Sequence, residues 1–136
     1  MGRTHRHPLR VRYSECDLQG HVFNANYFSY FDIALTELWR EVAGGYQEML
    51  DSGFDLVVVE ATARFRAPAR FDDELDLEVT VGHLGTTSMR TDLRVLRDED
   101  LLVEGRMVHV FIEKGTTAKA AIPPGIRQAL EGVEAA

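Results

Sequence analysis

The chain of 136 residues reads as one α+β domain, residues 1–136, with a five-stranded antiparallel sheet and one long helix. Three observations predict it. Tyr27 to Val42 carries apolar residues at helical spacing. Four later segments alternate apolar and polar residues with the period of half-buried strands. The turns between those segments are short, which favours antiparallel pairing.

Leu9, Val11 and Tyr13 alternate with Arg10, Arg12 and Ser14, and predict a first strand with one buried face. Ser14 to Asn26 is polar and irregular, with Gly20 free to bend the chain. In the helix that follows, Tyr27, Tyr30, Phe31, Ala34, Leu35, Leu38, Trp39 and Val42 share one face. Phe28 and Ile33 interrupt the polar side, so cover is expected there too. Gly44-Gly45 ends the helix, and Tyr46 to Leu50 suits one further short turn.

Leu56 to Arg66 predicts the second strand, with Val57, Val59, Ala61, Ala63 and Phe65 on one face. Ala67-Pro68 stops it, since proline has no N–H for a ladder. Leu75, Leu77, Val79 and Val81 mark the third strand, about Glu74 to His83. Met89, Thr91, Leu93 and Val95 mark the fourth, and Asp98-Glu99-Asp100 is a hairpin-like turn. The fifth runs from Leu101 to Glu113, with Gly105 as the candidate bulge. Pro123-Pro124 leads into a short helix, Gly125 to Leu130. One helix cannot cover both faces of such a sheet, so further burial by oligomerisation is expected.

A net charge of −7 argues against nucleic acid as a partner. No apolar run reaches the length of a membrane span. The basic start GRTHRHPLR is followed by no apolar segment, so a secretory signal is not expected and the cytoplasm is the default location. Cys16 is the single cysteine and cannot build a disulfide framework or a cysteine-based zinc site. His83 and His109 lie on separate strands, and no His/Asp/Glu spacing marks a metal site.

The chemistry points to the loop before the helix. Asp17 lies a few residues upstream of a helix start, where backbone N–H groups are unpaired and the macrodipole is positive. A carboxylate facing such amides suits a base or nucleophile beside an oxyanion site. A turn or capping role is the plainer reading of Asp17, and helix capping that of Asn24 and Asn26. Cys16 is a poor nucleophile beside a negative Asp17, which raises a thiol pKa. Glu37 lies on the mixed side of the helix, where a solvated or salt-bridged glutamate is the plainer reading.

The run DLQGHVFNANY, Asp17 to Tyr27, with the helix after it, resembles the 4-hydroxybenzoyl-CoA thioesterase family of hot dog fold proteins. FRAPARFDDEL (Phe65 to Leu75), LGTTS (Leu84 to Ser88) and AAIPPGI (Ala120 to Ile126) fit it as well. The resemblance implies a five-stranded antiparallel sheet wrapped around a long central helix. It also implies a homodimer or homotetramer with active sites at the protomer interface. It implies hydrolysis of an acyl-CoA to the free acid and CoA, without metal or organic cofactor. By position, Asp17 is the base or nucleophile and the backbone amide of Asn24 the oxyanion donor. His21 and Tyr27 are the candidate substrate-binding residues. Only the resemblance makes Glu37 of the helix a backup acidic group. His21 and Asn24 stand where members of the family vary, which leaves acyl preference open. Arg64, Arg66, Arg70, Arg90, Lys114 and Lys119 are the available cations for CoA phosphates. Rival readings are a thioesterase acting on an acyl carrier protein, a hydratase or dehydratase of the same fold, and an acyl-CoA-binding module without turnover.

Overall fold

A computed structural model describes residues 3–132, and the outermost residues of the expected 1–136 domain lie outside it. In chain order come β1 (Thr4–Arg10), α1 (Asn26–Ala43), α2 (Tyr46–Asp51), β2 (Phe54–Phe65), β3 (Glu74–Leu84), β4 (Ser88–Arg97), β5 (Asp100–Glu113) and α3 (Pro124–Gly132). The strands form one antiparallel sheet in the order β1-β3-β4-β5-β2.

Helix α1 lies on one face of this sheet, and its phase follows its sequence. Tyr27, Tyr30, Phe31, Ala34, Leu35, Leu38 and Trp39 are all buried. Phe28 and Ile33, on the other side, are partly buried against the core. Leu77 and Val79 of β3, Met89 and Leu93 of β4, and Met107 and Phe111 of β5 meet the helix from the sheet. Each large side chain so buried contributes about 1.5–3 kcal/mol relative to exposure. The helix ends at Gly44, whose φ of +79° turns the chain, and Gly45 N–H bonds the Trp39 carbonyl at 3.1 Å.

The first strand lies earlier than the alternation from Leu9 predicts. Val11 is buried, but Tyr13 is 80% exposed in a 3₁₀ turn, Tyr13–Glu15. Glu15 Oε1 accepts the Arg12 N–H at 2.8 Å and closes that turn. The strand itself runs upstream through His5 and His7, which are the inward residues with Leu9. Among the described residues it has β3 alone as neighbour, so Pro8, opposite Asp76, is tolerated at an edge.

The face assignment of β2 is corrected in its first half. The register against β5 shifts between Val58 and Glu60, which leaves Val59 as an extra residue. A bulge of this kind inverts the alternation on one side of it. Leu56 and Val58, opposite Phe111 and His109, therefore share the inner face with Ala61, Ala63 and Phe65. Val57 and Val59 do not.

Gly105 is not a bulge. It pairs in register with Leu93 and Ala63, and the extra residue of β5 is Leu102. A Cβ on Gly105 would lie 2.5 Å from two ring carbons of Phe31 and 2.9 Å from the Thr62 carbonyl oxygen. The glycine lets the helix sit close to the sheet. Gly105→Ala should therefore lower stability by about 1–3 kcal/mol, because the ring or the strand must move. A parent-like midpoint in urea unfolding would contradict this seating.

Candidate active site

The polar stretch before α1 folds as a small hairpin. Cys16 and Val22 pair across it, and Gly20 N–H bonds the Asp17 carbonyl at 3.0 Å with Gly20 at φ +77°. Asp17 N–H donates to the His21 carbonyl at 2.8 Å. Asp17 Oδ1 accepts the Gln19 N–H at 2.9 Å and the His21 N–H at 3.4 Å. An aspartate that bonds the backbone two residues on is a common turn former. The turn reading is thus realised, but it engages only Oδ1. Among the described residues, Asp17 Oδ2 has no protein donor. The side chain is exposed, so this oxygen is open to an incoming molecule.

The hairpin is tied to the segment joining β2 and β3. Val22 N–H bonds the Ala69 carbonyl at 2.9 Å, and His21 bridges Arg70. That segment is held by Asp73, whose Oδ2 accepts from Arg70 N–H at 2.8 Å and from Arg97 at 2.7 Å.

Neither Asn24 nor Asn26 caps the helix. The cap position is Ala25, in helical conformation, with no side-chain hydrogen bond. Tight turns take the next amides instead: Asn26 N–H bonds Phe23 O at 2.8 Å and Tyr27 N–H bonds Asn24 O at 3.2 Å. Among the described residues no protein acceptor takes the amides of Asn24 or Ala25. These two are the donors left over at the positive end of α1. The Asn26 side chain is used elsewhere, donating to the Glu15 carbonyl at 2.8 Å.

Asp17, His21, Asn24 and Tyr27 all line one cleft of about 340 Å³, closed on its other side by Phe65 to Pro68. The sequence-derived site residues are thus brought together. Tyr27 lines the cleft from within the core. It is 2% exposed, its hydroxyl oxygen accepts the Ala69 N–H at 3.1 Å, and its ring packs on Phe65 and Tyr30 at centroid distances of 5.6 and 5.7 Å. Of the candidate cations, Arg66 lines the cleft but is ion-paired with Glu104. Arg64 shares that glutamate, and Arg90 pairs with Asp92.

None of the remaining candidates lines the cleft. Glu37 pairs with Arg40 at 3.1 Å. It stands eleven residues beyond Asn26 in α1, about 16 Å along the axis. Burial, then the charges of Glu15, Asp17 and Asp73, push the Cys16 thiol pKa up, which keeps it a thiol. His83 is exposed on β3. His109 is buried, and burial lowers its pKa and favours the neutral ring.

Sequence reasoning passed over Glu15. Its carboxylate accepts the Tyr30 hydroxyl at 2.8 Å as well as the Arg12 amide. The signal was present as a glutamate three residues after the turn's cap, the spacing of a capping box.

A five-stranded antiparallel sheet folded on one long helix, with its polar loop at the helix start, is the hot dog architecture. Residues 11–130 match the sequence model of the thioesterase-like superfamily, and the chain belongs to that family. It is 30% identical over 122 residues to the acyl-CoA thioester hydrolase YbgC of Escherichia coli O157:H7, covering 89% of this chain and 91% of that one. The solved gentisyl-coenzyme A thioesterase BH1999 superposes with a TM-score of 0.84 at 25% identity, over 92% of this chain and 98% of that one. A hypothetical protein of Aquifex aeolicus shares the fold, with a TM-score of 0.88 at 24% identity over 93% and 99% of the two chains. Among the described residues no helix is long and apolar enough to cross a membrane.

Proposed function

We propose that the protein hydrolyses acyl-CoA thioesters to the free acid and CoA, with Asp17 and the Asn24 amide as its catalytic groups. One observation carries the reading. Asp17, whose Oδ2 has no protein donor, and Asn24, whose backbone amide has no protein acceptor among the described residues, line the same cleft. The thioester carbonyl oxygen points at the Asn24 amide, and Asp17 Oδ2 attacks the carbonyl carbon or takes a proton from the attacking water. The negative charge that develops on the carbonyl oxygen meets the N–H and the helix dipole. One such donor is worth about 2.7–4 kcal/mol in the barrier. His21, on the same wall, orients substrate or water.

Relatives with acyl-CoA in their names support CoA rather than a carrier protein as the thiol. The test is a panel of short, long and aromatic acyl-CoAs followed with a thiol-reporting dye. Release of CoA from at least one member is expected. No turnover of any member would turn the reading to a carrier-protein ester or to binding alone.

The same reading includes an assembly of at least two copies. Among the described residues strand β2 is an edge with β5 as its one neighbour, and it spans 12 residues. Its Val57, Val58, Val59 and Phe65 are 41–58% exposed. A long apolar edge of this kind is a template for another strand. Phe65 belongs both to that edge and to the cleft, so pairing two β2 strands walls each cleft from a second protomer. A homodimer, or a homotetramer built from it, is expected in sedimentation at micromolar concentration. A fully active monomer would overturn this part of the reading.

A further inference from the structure

We infer that Glu15 is a positioning residue that holds the Asp17 carboxylate in register with the Asn24 amide. The inference rests on the proposed roles of those two groups. Both lie between the 3₁₀ turn at Tyr13–Glu15 and the start of α1, in a segment that belongs to no helix or strand of the sheet. Something outside regular structure must fix their separation.

Glu15 does so with both ends of the residue. Its side-chain Oε1 accepts from Arg12 N–H and from the Tyr30 hydroxyl, each at 2.8 Å. Its backbone carbonyl accepts from Phe23 N–H at 2.9 Å and from Asn26 Nδ2–H at 2.8 Å. The first pair fixes the arm that leads to Asp17, two residues on. The second pair fixes the arm that carries Asn24, which lies between Phe23 and Asn26. The anchor is the core itself, because Tyr30 is 1% exposed on the buried face of α1. Burial and the Glu15 charge hold the Tyr30 phenol well above its usual pKa, so its O–H stays a donor throughout the working pH range.

The alternative is that Glu15 serves stability alone, and kinetics separate the two roles. Glu15→Ala removes both side-chain bonds. A misplacement of 1 Å in a catalytic group can cost about 10²-fold, so kcat on the best acyl-CoA of the panel should fall about 10–10²-fold. KM should stay within about threefold, since the cleft walls remain. Glu15→Gln should keep kcat within about threefold of the parent, because an amide oxygen can accept both bonds. Among the described residues Oε2, the atom that becomes NH₂, bonds nothing.

Parent-like kcat in Glu15→Ala overturns the inference. So does a Glu15→Gln as slow as the alanine variant, which would assign the negative charge itself to the reaction. If the alanine variant does not fold, Tyr30→Phe decides. It keeps the ring in the core and removes one bond, and unchanged kcat there also overturns the inference. Asp17→Asn is assayed in parallel. Full turnover in that variant refutes the catalytic reading, whereas an inactive Asp17→Asn beside a parent-like Glu15→Ala refutes only the brace.

Discussion

Asp17→Asn should lower kcat by about 10²–10⁴-fold, the range for loss of a positioned general base. Loss of a covalent route would cost more. The substitution leaves the loop standing. Gln19 and His21 N–H bond Oδ1 alone, and an amide oxygen can take both bonds. What disappears is the charge on Oδ2. An amide neither accepts a proton from water near neutral pH nor attacks a thioester well. The Asn24 and Ala25 amides stay free, so the ester should still bind, and calorimetric Kd on the variant should match the parent or improve. Removing a carboxylate relieves its repulsion with CoA phosphates. Turnover reduced less than about tenfold in a folded variant would remove Asp17 from the mechanism. The next residue to test would then be His21, which lines the cleft, ahead of Glu37, which is paired with Arg40 outside it.

Trp39→Ala should act on the fold and not on the chemistry. Trp39 is 4% exposed and packs edge-on against Phe111 of β5, with ring centroids 6.2 Å apart. Truncating a buried large aromatic costs about 3–5 kcal/mol. Domains have only about 5–15 kcal/mol in hand. A large drop in the denaturant midpoint is expected at fixed protein concentration, since an assembly ties stability to concentration. Trp39 stands thirteen residues beyond Asn26 along α1, about 20 Å. The folded fraction should therefore turn over at the parent rate. An unchanged midpoint would mean that this ring contributes no packing to the core.

What could be read from the sequence was what depends on neighbours along the chain. The period of α1 identified its seven buried side chains because a helix repeats locally. The alternation in β3 and β4 served for the same reason, with Leu75 to Val81 and Met89 to Val95 facing the core. The inward face of β1 is carried by His5 and His7, which give no apolar signal. The bulge at Val59 exists only relative to β5, so no count along β2 could locate it. Gly105 presented the same ambiguity, since a glycine in a strand signals a bulge or a close approach equally well. Phe31 decides between them, and it lies 74 positions away. In the site, the Asp17 loop was legible through its resemblance to a known family. The brace at Glu15 was not, because it depends on Tyr30 arriving from the far end of a helical turn.

The two borders of the sheet are unlike, and in the proposed assembly this would limit how far copies add. Along β1, Pro8 withholds one N–H, and Arg6 and Arg10 are committed to Glu78 and Glu74. Proline and charge on a border strand discourage another strand from joining. Border β2 is guarded less: it has Glu60, Arg64 and the bulge at Val59 but no proline, and Val57, Val58 and Val59 are exposed along it. Joining two β2 borders about a twofold axis consumes both sticky sides at once. The doubled sheet of the proposed pair would end at each side in a β1 strand, and growth would stop. A chain with two borders like β2 would instead keep adding copies into a fibre, and in the proposed assembly Pro8 and its flanking arginines would act as chain terminators.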